Sequence, residues 1–270
     1  MTYTTGVANT LQTSFRGGFE AEGQAAAQVK VFNGARTGVM YNMWHPHDMF
    51  QDLGGTIPVT AENQDVLSIT DANNNGILAV SSGSDHPVWD GTHLVFSAGA
   101  YMQVAMTVPK SSRTVIFAGT PTGGDTRKTV VEAYGNATAY ALLSLGLNNN
   151  KWETYPSVAT PLTAPDDTTL NVPVVLTLRR EWIDDSSDTF TEIRVNGAVV
   201  ASATQDPDNA GTTADGFRFG ANRNAERKMT MRASGLVVAF DNSNPTIADD
   251  HIVPTDLETW FALRAGVTLA

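Results

Sequence analysis

The sequence predicts an all-β fold, a jelly-roll β-sandwich with one short C-terminal helix and an extended N-terminal arm. Three observations lead there. Short apolar runs recur from about Val39 onward with turn residues between them. Several of them alternate apolar and polar side chains, as Met102, Val104, Met106 and Val108 do, which is the pattern of a strand with one buried face. Helix signals are scarce. Many short strands separated by turns build sandwiches and jelly rolls rather than layered α/β folds.

Taken in chain order, residues 1–38 are rich in Thr, Gly, Ala and Gln, and Gly17, Gly18, Gly23, Gly34 and Gly38 interrupt any long regular element. They read as an arm, and residues 39–270 as one jelly-roll domain. Asp48 reads as the N-cap of a short helical turn running through Gln51. Strands are expected over 93–96, 101–108, 113–118, 129–134, 139–145, 172–179, 191–195, 198–203, 217–220 and 235–240. The run Val174-Val175-Leu176 lacks alternation and reads as buried on both faces. Asn196-Gly197 between two apolar runs specifies a type I′ hairpin, whose central residues need positive φ. Thr255 and Glu258 form a capping box, Trp260, Phe261 and Leu263 give the helix an apolar edge, and Gly266 supplies a left-handed stop. A helix over 256–265 follows.

Composition narrows the function. Of 270 residues, 17 are Lys or Arg and 28 Asp or Glu, a net charge of −11. Such a surface does not grip nucleic acid or anionic lipid. Cysteine is absent, which excludes disulfides, thiolate zinc sites and a cysteine nucleophile. Met1 to Gly6 carries no basic segment leading into an apolar run, so no signal peptide is expected. The longest apolar stretches, such as 236–240, are far short of a membrane span.

The segment from Trp44 to Thr60 contains Met49-Phe-Gln-Asp52 and Gly55-Thr-Ile-Pro-Val-Thr60, followed by Asp71-Ala-Asn-Asn-Asn-Gly76, Asp90-Gly91 and Leu94-Val-Phe96. This order resembles a block of bacteriophage and prophage structural proteins that precedes a laminin-G-like jelly roll of the concanavalin A-like lectin/glucanase superfamily. The later segments 172–197, 217–221 and 235–240 are similar to the closing strands of such domains. The resemblance covers about residues 40–270 and leaves the arm unmatched. It implies a virion-surface protein (head decoration, spike, fibre or tail appendage) made in the bacterial host cytoplasm. The arm would attach it to capsid or tail proteins, and copies would assemble as a homo-oligomer. The superfamily also holds lectins and glycosidases, so fold alone does not choose among them.

Retaining glycosidases need two carboxylates about 5–5.5 Å apart. A single strand supplies them at i and i+2 or i+4, and no strand here does: Glu181, Asp184 and Asp185 have the wrong spacing in what reads as an exposed loop, and Glu192 stands alone. A non-enzymatic protein is therefore expected, with a polysaccharide-degrading glycosidase or a free carbohydrate-binding module as alternatives. Sugars stack on exposed aromatic rings and hydrogen-bond to planar polar groups. Trp152, Tyr155 and Asn149 form the best such loop, and Trp182 with Asp184 the second, with a host-surface glycan as the ligand. No cofactor is required. Asp71, Asn73 and Asn75 match the first half of a calcium loop, although the twelfth position is Ser82 rather than a bidentate Glu. His45 and His47 could share a strand face, but no third metal ligand is near in sequence. Arg223, Arg227 and Lys228 belong to the one basic cluster and read as a contact with an acidic neighbouring subunit or an anionic glycan.

Overall fold

A computed structural model describes residues 36–73, 76–123, 126–136, 138–155, 160–182, 189–205, 213–241 and 255–270. Among the described residues, two antiparallel nine-stranded sheets form a β-sandwich, with one α-helix, α1 (Thr255–Ala265), near the C-terminal end. In chain order the strands are β1 (Arg36–Asn42), β2 (Met49–Phe50), β3 (Gln64–Asp65), β4 (Ser68–Thr70), β5 (Leu78–Ser81), β6 (Val88–Trp89), β7 (Leu94–Phe96), β8 (Met102–Pro109) and β9 (Arg113–Pro121). They continue with β10 (Lys128–Tyr134), β11 (Ser144–Asn148), β12 (Lys151–Thr154), β13 (Leu162–Thr163), β14 (Val174–Trp182), β15 (Thr189–Val195), β16 (Ala198–Gln205), β17 (Thr213–Phe219) and β18 (Met231–Asp241). The first sheet runs β16-β15-β14-β9-β18-β7-β6-β3, with β1 also paired to β18. The second runs β13-β12-β11-β10-β17-β8-β5-β4-β2.

Alternation sorts the side chains. Val115 and Phe117 of β9, Leu176 and Leu178 of β14, and Leu236, Val238 and Phe240 of β18 join one core with Val104, Leu145, Leu147, Phe217 and Phe219 of the second sheet. Phe219 meets Phe96 edge-on at 4.9 Å. The intervening residues Ile116, Ala118, Val175, Val237 and Ala239 form a separate cluster with Leu257, Phe261 and Ala265 of α1. The middle of the first sheet is thus covered on both faces, which explains its near-continuous apolar runs. Phe261 lies over Gly235, where a Cβ would come 2.2 Å from the Phe261 ring. Only glycine lets the helix approach this closely.

The Asn196-Gly197 hairpin forms as expected, with φ of 50° and 85°, and joins Val195 to its partner Ala198. Gly266 closes α1 at φ 68°. Other expectations are corrected. Glu258 does not reach back to cap its helix; it is buried against the sheet, accepting from Thr177 Oγ1 at 2.6 Å and Arg194 Nε at 3.2 Å. Asp48 ends a 3-10 turn, Pro46–Asp48, rather than starting a helix, because Met49 and Phe50 leave to pair with β4. Residues 139–141 form a 3-10 turn, and the strand begins only at Ser144. Glu181 and Trp182 complete β14 rather than opening a loop, and Arg179 bonds Glu181. The arm over 1–35 lies outside the described residues, while 36–38 belong to β1.

Local hydrogen bonds fix the segment around Asp52. Asp52 Oδ1 accepts from the Thr56 and Ile57 amides at 2.9 and 2.7 Å, and Oδ2 from Gly54 N and Thr56 Oγ1. Gln51 Nε2 donates to Pro58 O at 2.9 Å. These bonds, the Ile57 amide foremost, hold the Asp52 carboxyl below its ordinary pKa.

Because Phe261 joins the helix to both central strands, Phe261→Ala should cost about 3–5 kcal/mol in urea denaturation. Leu263→Ala should cost under about 0.5 kcal/mol, since Leu263 is 72% exposed. Equal losses would refute this account of α1.

Candidate functional site

The outer face of the second sheet carries a polar cleft. Leu145, Leu147 and Trp152 point into the core, so the intervening positions Ser144, Gly146, Glu153 and Tyr155 fall on the opposite face. Glu132 of β10 pairs with Ser144 of β11 on one side and Arg218 of β17 on the other. Glu153 of β12 pairs with Gly146, where a Cβ would come 2.2 Å from the Lys128 carbonyl oxygen, so glycine lets β10 and β11 approach here. The loop between β17 and β18 closes the cleft. Thr129 N donates to Arg227 O at 2.9 Å and Met229 N to Gly220 O at 2.9 Å, so the loop is fixed to β10. Asn222 Oδ1 accepts from Glu226 N at 2.7 Å, which tightens its tip. The resulting cavity, about 190 Å³, is lined by Arg127, Glu132, Tyr155, Asn222, Arg223 and Arg227 among others.

The electrostatics follow from burial. Glu132 is 7% exposed and accepts from Arg223 N at 3.1 Å. Desolvation raises its pKa, against the lowering pull of the Arg223 amide and of the Arg223, Arg227 and Arg127 charges. Glu153 is 5% exposed, ion-paired to Arg127 Nη2 at 2.7 Å through Oε1 and bonded by Asn148 Nδ2 at 3.0 Å through Oε2. Arg127 also lies over the Tyr155 ring, 4.2 Å from its centre. Burial, then Glu153, raise the Tyr155 phenol above its ordinary pKa. Further along the same face, Arg218 stacks over Tyr134 and Tyr101, at 5.0 and 5.6 Å, and Lys228 over Tyr101 at 5.7 Å. Alternating guanidinium, carboxylate, amide and phenol groups suit a ligand rich in hydroxyls, each able to donate and accept.

The structure joins two groups of residues that the sequence kept apart: Tyr155 shares this cleft with Arg223 and Arg227. Lys228 stands beside it on Tyr101. Trp152 is corrected. It is 2% exposed and packs in the inter-sheet core, because period two turns it inward from Glu153 and Tyr155. One part of it borders a second, more apolar cavity of about 230 Å³ with Ala164, Val174, Val195 and Val200. Asn149 is exposed at the β11–β12 turn with φ 50°, a turn residue outside the cleft. Trp182 ends β14, and Asp184 lies outside the described residues. Asp71 is also corrected: its Oδ1 accepts from Met40 N at 2.8 Å and Asn73 N at 3.0 Å. The carboxylate thereby ties β1 to the following turn and is 4% exposed, so it is not presented to a cation. Asn73 is half-buried in that turn, and Asn75 lies outside the described residues. Sequence reading missed Arg127, just before β10, Glu132 on β10 and Glu153 on β12, because no local motif joins the two strands.

The sequence matches no protein-family model and no curated protein. The fold is similar to that of Trypanosoma rangeli sialidase, solved as a covalent intermediate with 2,3-difluorosialic acid, at TM-score 0.55 and 13% identity over 86% of this chain and 33% of that one. It is also similar to the botulinum neurotoxin serotype C1 binding domain, at TM-score 0.54 and 8% identity over 84% and 52%. A third is botulinum neurotoxin type C, whose cell entry depends on two ganglioside molecules, at TM-score 0.50 and 9% identity over 74% and 51%. The chain spans about a third of the sialidase and about half of the toxin structures. At these identities the likeness shows the fold alone, a β-sandwich.

A raised carboxyl pKa favours folding below the unfolded value of 4.5, and this contribution is lost as pH rises through the folded value. Glu132→Gln should therefore raise the urea midpoint relative to the parent at neutral pH, with the difference disappearing below about pH 4.5. A difference that is constant with pH would count against buried, disfavoured charge at Glu132.

Proposed function

We propose that the chain is a non-enzymatic glycan-binding module displayed on a bacteriophage particle, with the cleft on the second sheet as its binding face. The observation that carries the glycan reading is the convergence of Arg127, Glu132, Tyr155, Asn222 and Arg227 on one polar cavity. The fold supports it by likeness, since one structure sharing the sandwich is a sialidase in complex with sialic acid, at TM-score 0.56. Particle display rests on the phage-type motif order between Trp44 and Phe96. Copies on a symmetric particle would bind shallowly but with avidity.

A binding role fits the carboxylates better than hydrolysis. A glycosidase needs one group free to give a proton and another free to attack or to activate water. Both Glu153 oxygens are engaged, by Arg127 and by Asn148, and Glu132 accepts an amide hydrogen from the loop. Glu153, held through both oxygens, suits orienting a hydroxyl rather than attacking a sugar.

The assembled protein should bind at least one bacterial surface glycan on an array and release no sugar from it. Tyr155→Ala and Arg227→Ala should each weaken that binding about tenfold or more, the loss of roughly 1.4 kcal/mol. Absence of any glycan binding, or full binding by both variants, would overturn the glycan reading. Peptides of this chain should appear in the proteome of purified particles, and their absence would overturn the particle reading.

A further inference from the structure

A second polar group lies between the sheets, unused by the cleft. Arg113 of β9, Arg180 of β14 and Thr191 of β15 are direct cross-strand neighbours, Arg180 pairing with Arg113 on one side and Thr191 on the other. They occupy the positions that continue Val115, Leu178 and Ile193, and so share the inward face of the first sheet. All three are closed off from solvent, at 3%, 1% and 0% exposure. Arg180 gives Nη2 to Tyr155 O at 2.7 Å and Nη1 to Ala141 O, which leaves its Nε without a partner. Arg113 has no partner on Nε, Nη1 or Nη2, and Thr191 Oγ1 has none either. Among the described residues no carboxylate meets either guanidinium.

This arrangement is costly as it stands. Arginine keeps its proton in proteins, so burial leaves two like charges side by side in a low dielectric. Burial, with the Arg180 charge beside it, pulls the Arg113 guanidinium well below its usual range. Every unsatisfied atom on the two arginines is a donor, and the Thr191 hydroxyl can donate as well. Unpartnered donors on three neighbouring strands, with excess positive charge, suit an anion. The closed surroundings restrict its size.

We propose that Arg113, Arg180 Nε and the Thr191 hydroxyl hold one small inorganic anion of halide size between the sheets. The anion joins β9, β14 and β15. Through the Arg180 bond to Tyr155 O it also secures the end of β12, where the cleft's phenol is carried. Binding to the folded chain alone makes stability depend on anion concentration.

The test is thermal denaturation of the full chain at constant ionic strength, with chloride replacing gluconate, an anion too bulky for the site. The expected result is a saturable rise in Tm of a few degrees. Arg113→Met should abolish the chloride dependence, and without chloride its Tm should be no lower than the parent's, since an apolar side chain needs no counter-charge. A parent Tm indifferent to chloride, or an equal rise in both proteins, would overturn the proposal. Crystals grown with bromide give a measurement that needs no variant. An anomalous peak at the Arg113 guanidinium supports the site, and a carboxylate of the chain in contact with Arg113 overturns it.

Discussion

Strands β9 and β18 are buried on both faces, and the rest of the molecule is arranged around that constraint. Their inward residues, such as Phe117 and Leu236, need the second sheet, and their outward ones, such as Ile116 and Val237, need α1. Gly235 is bare so that Phe261 can fit, and Glu258 turns inward so that Thr177 and Arg194 have a partner beneath the helix. With one outer face taken by a helix, the outer face of the second sheet is where polar side chains can gather. That is where the cleft forms.

Within the cleft, burial and charge oppose each other. Glu132 and Glu153 are nearly excluded from solvent, a position carboxylates occupy only with partners close by. Arg127 neutralises Glu153, and the Arg223 amide and the arginines of the β17–β18 loop meet Glu132. The loop is therefore part of the sheet's electrostatics, and its bond to β10 through Thr129 keeps it in place. An acidic chain carries this basic loop because the face beneath it holds buried acid.

What the sequence reveals depends on how local the physics is. The Asn196-Gly197 turn is legible because its positive-φ signal lies within two residues, and the 255–265 helix because its apolar residues and the Gly266 stop are local. The two-residue strands β2, β3, β6 and β13 are invisible, since pairing defines them rather than periodicity. Reading 148–155 as a loop hides the parity of β12. Once that segment is a strand, Trp152 must turn inward and Tyr155 outward. Glu132 faces out in a strand whose Val131 and Ala133 face the core, and that much is readable. Its burial is not, because the loop that covers it comes from residues near 223, and only the fold brings them to β10.

The outer face of the second sheet is the proposed working face. Hydrogen–deuterium exchange, with and without a bound glycan, tests it most directly. Added protection is expected over 127–134, 151–155 and 220–228 and none on α1. Protection confined to α1, or to the 164–174 edge where the Trp152 cavity opens, would contradict it.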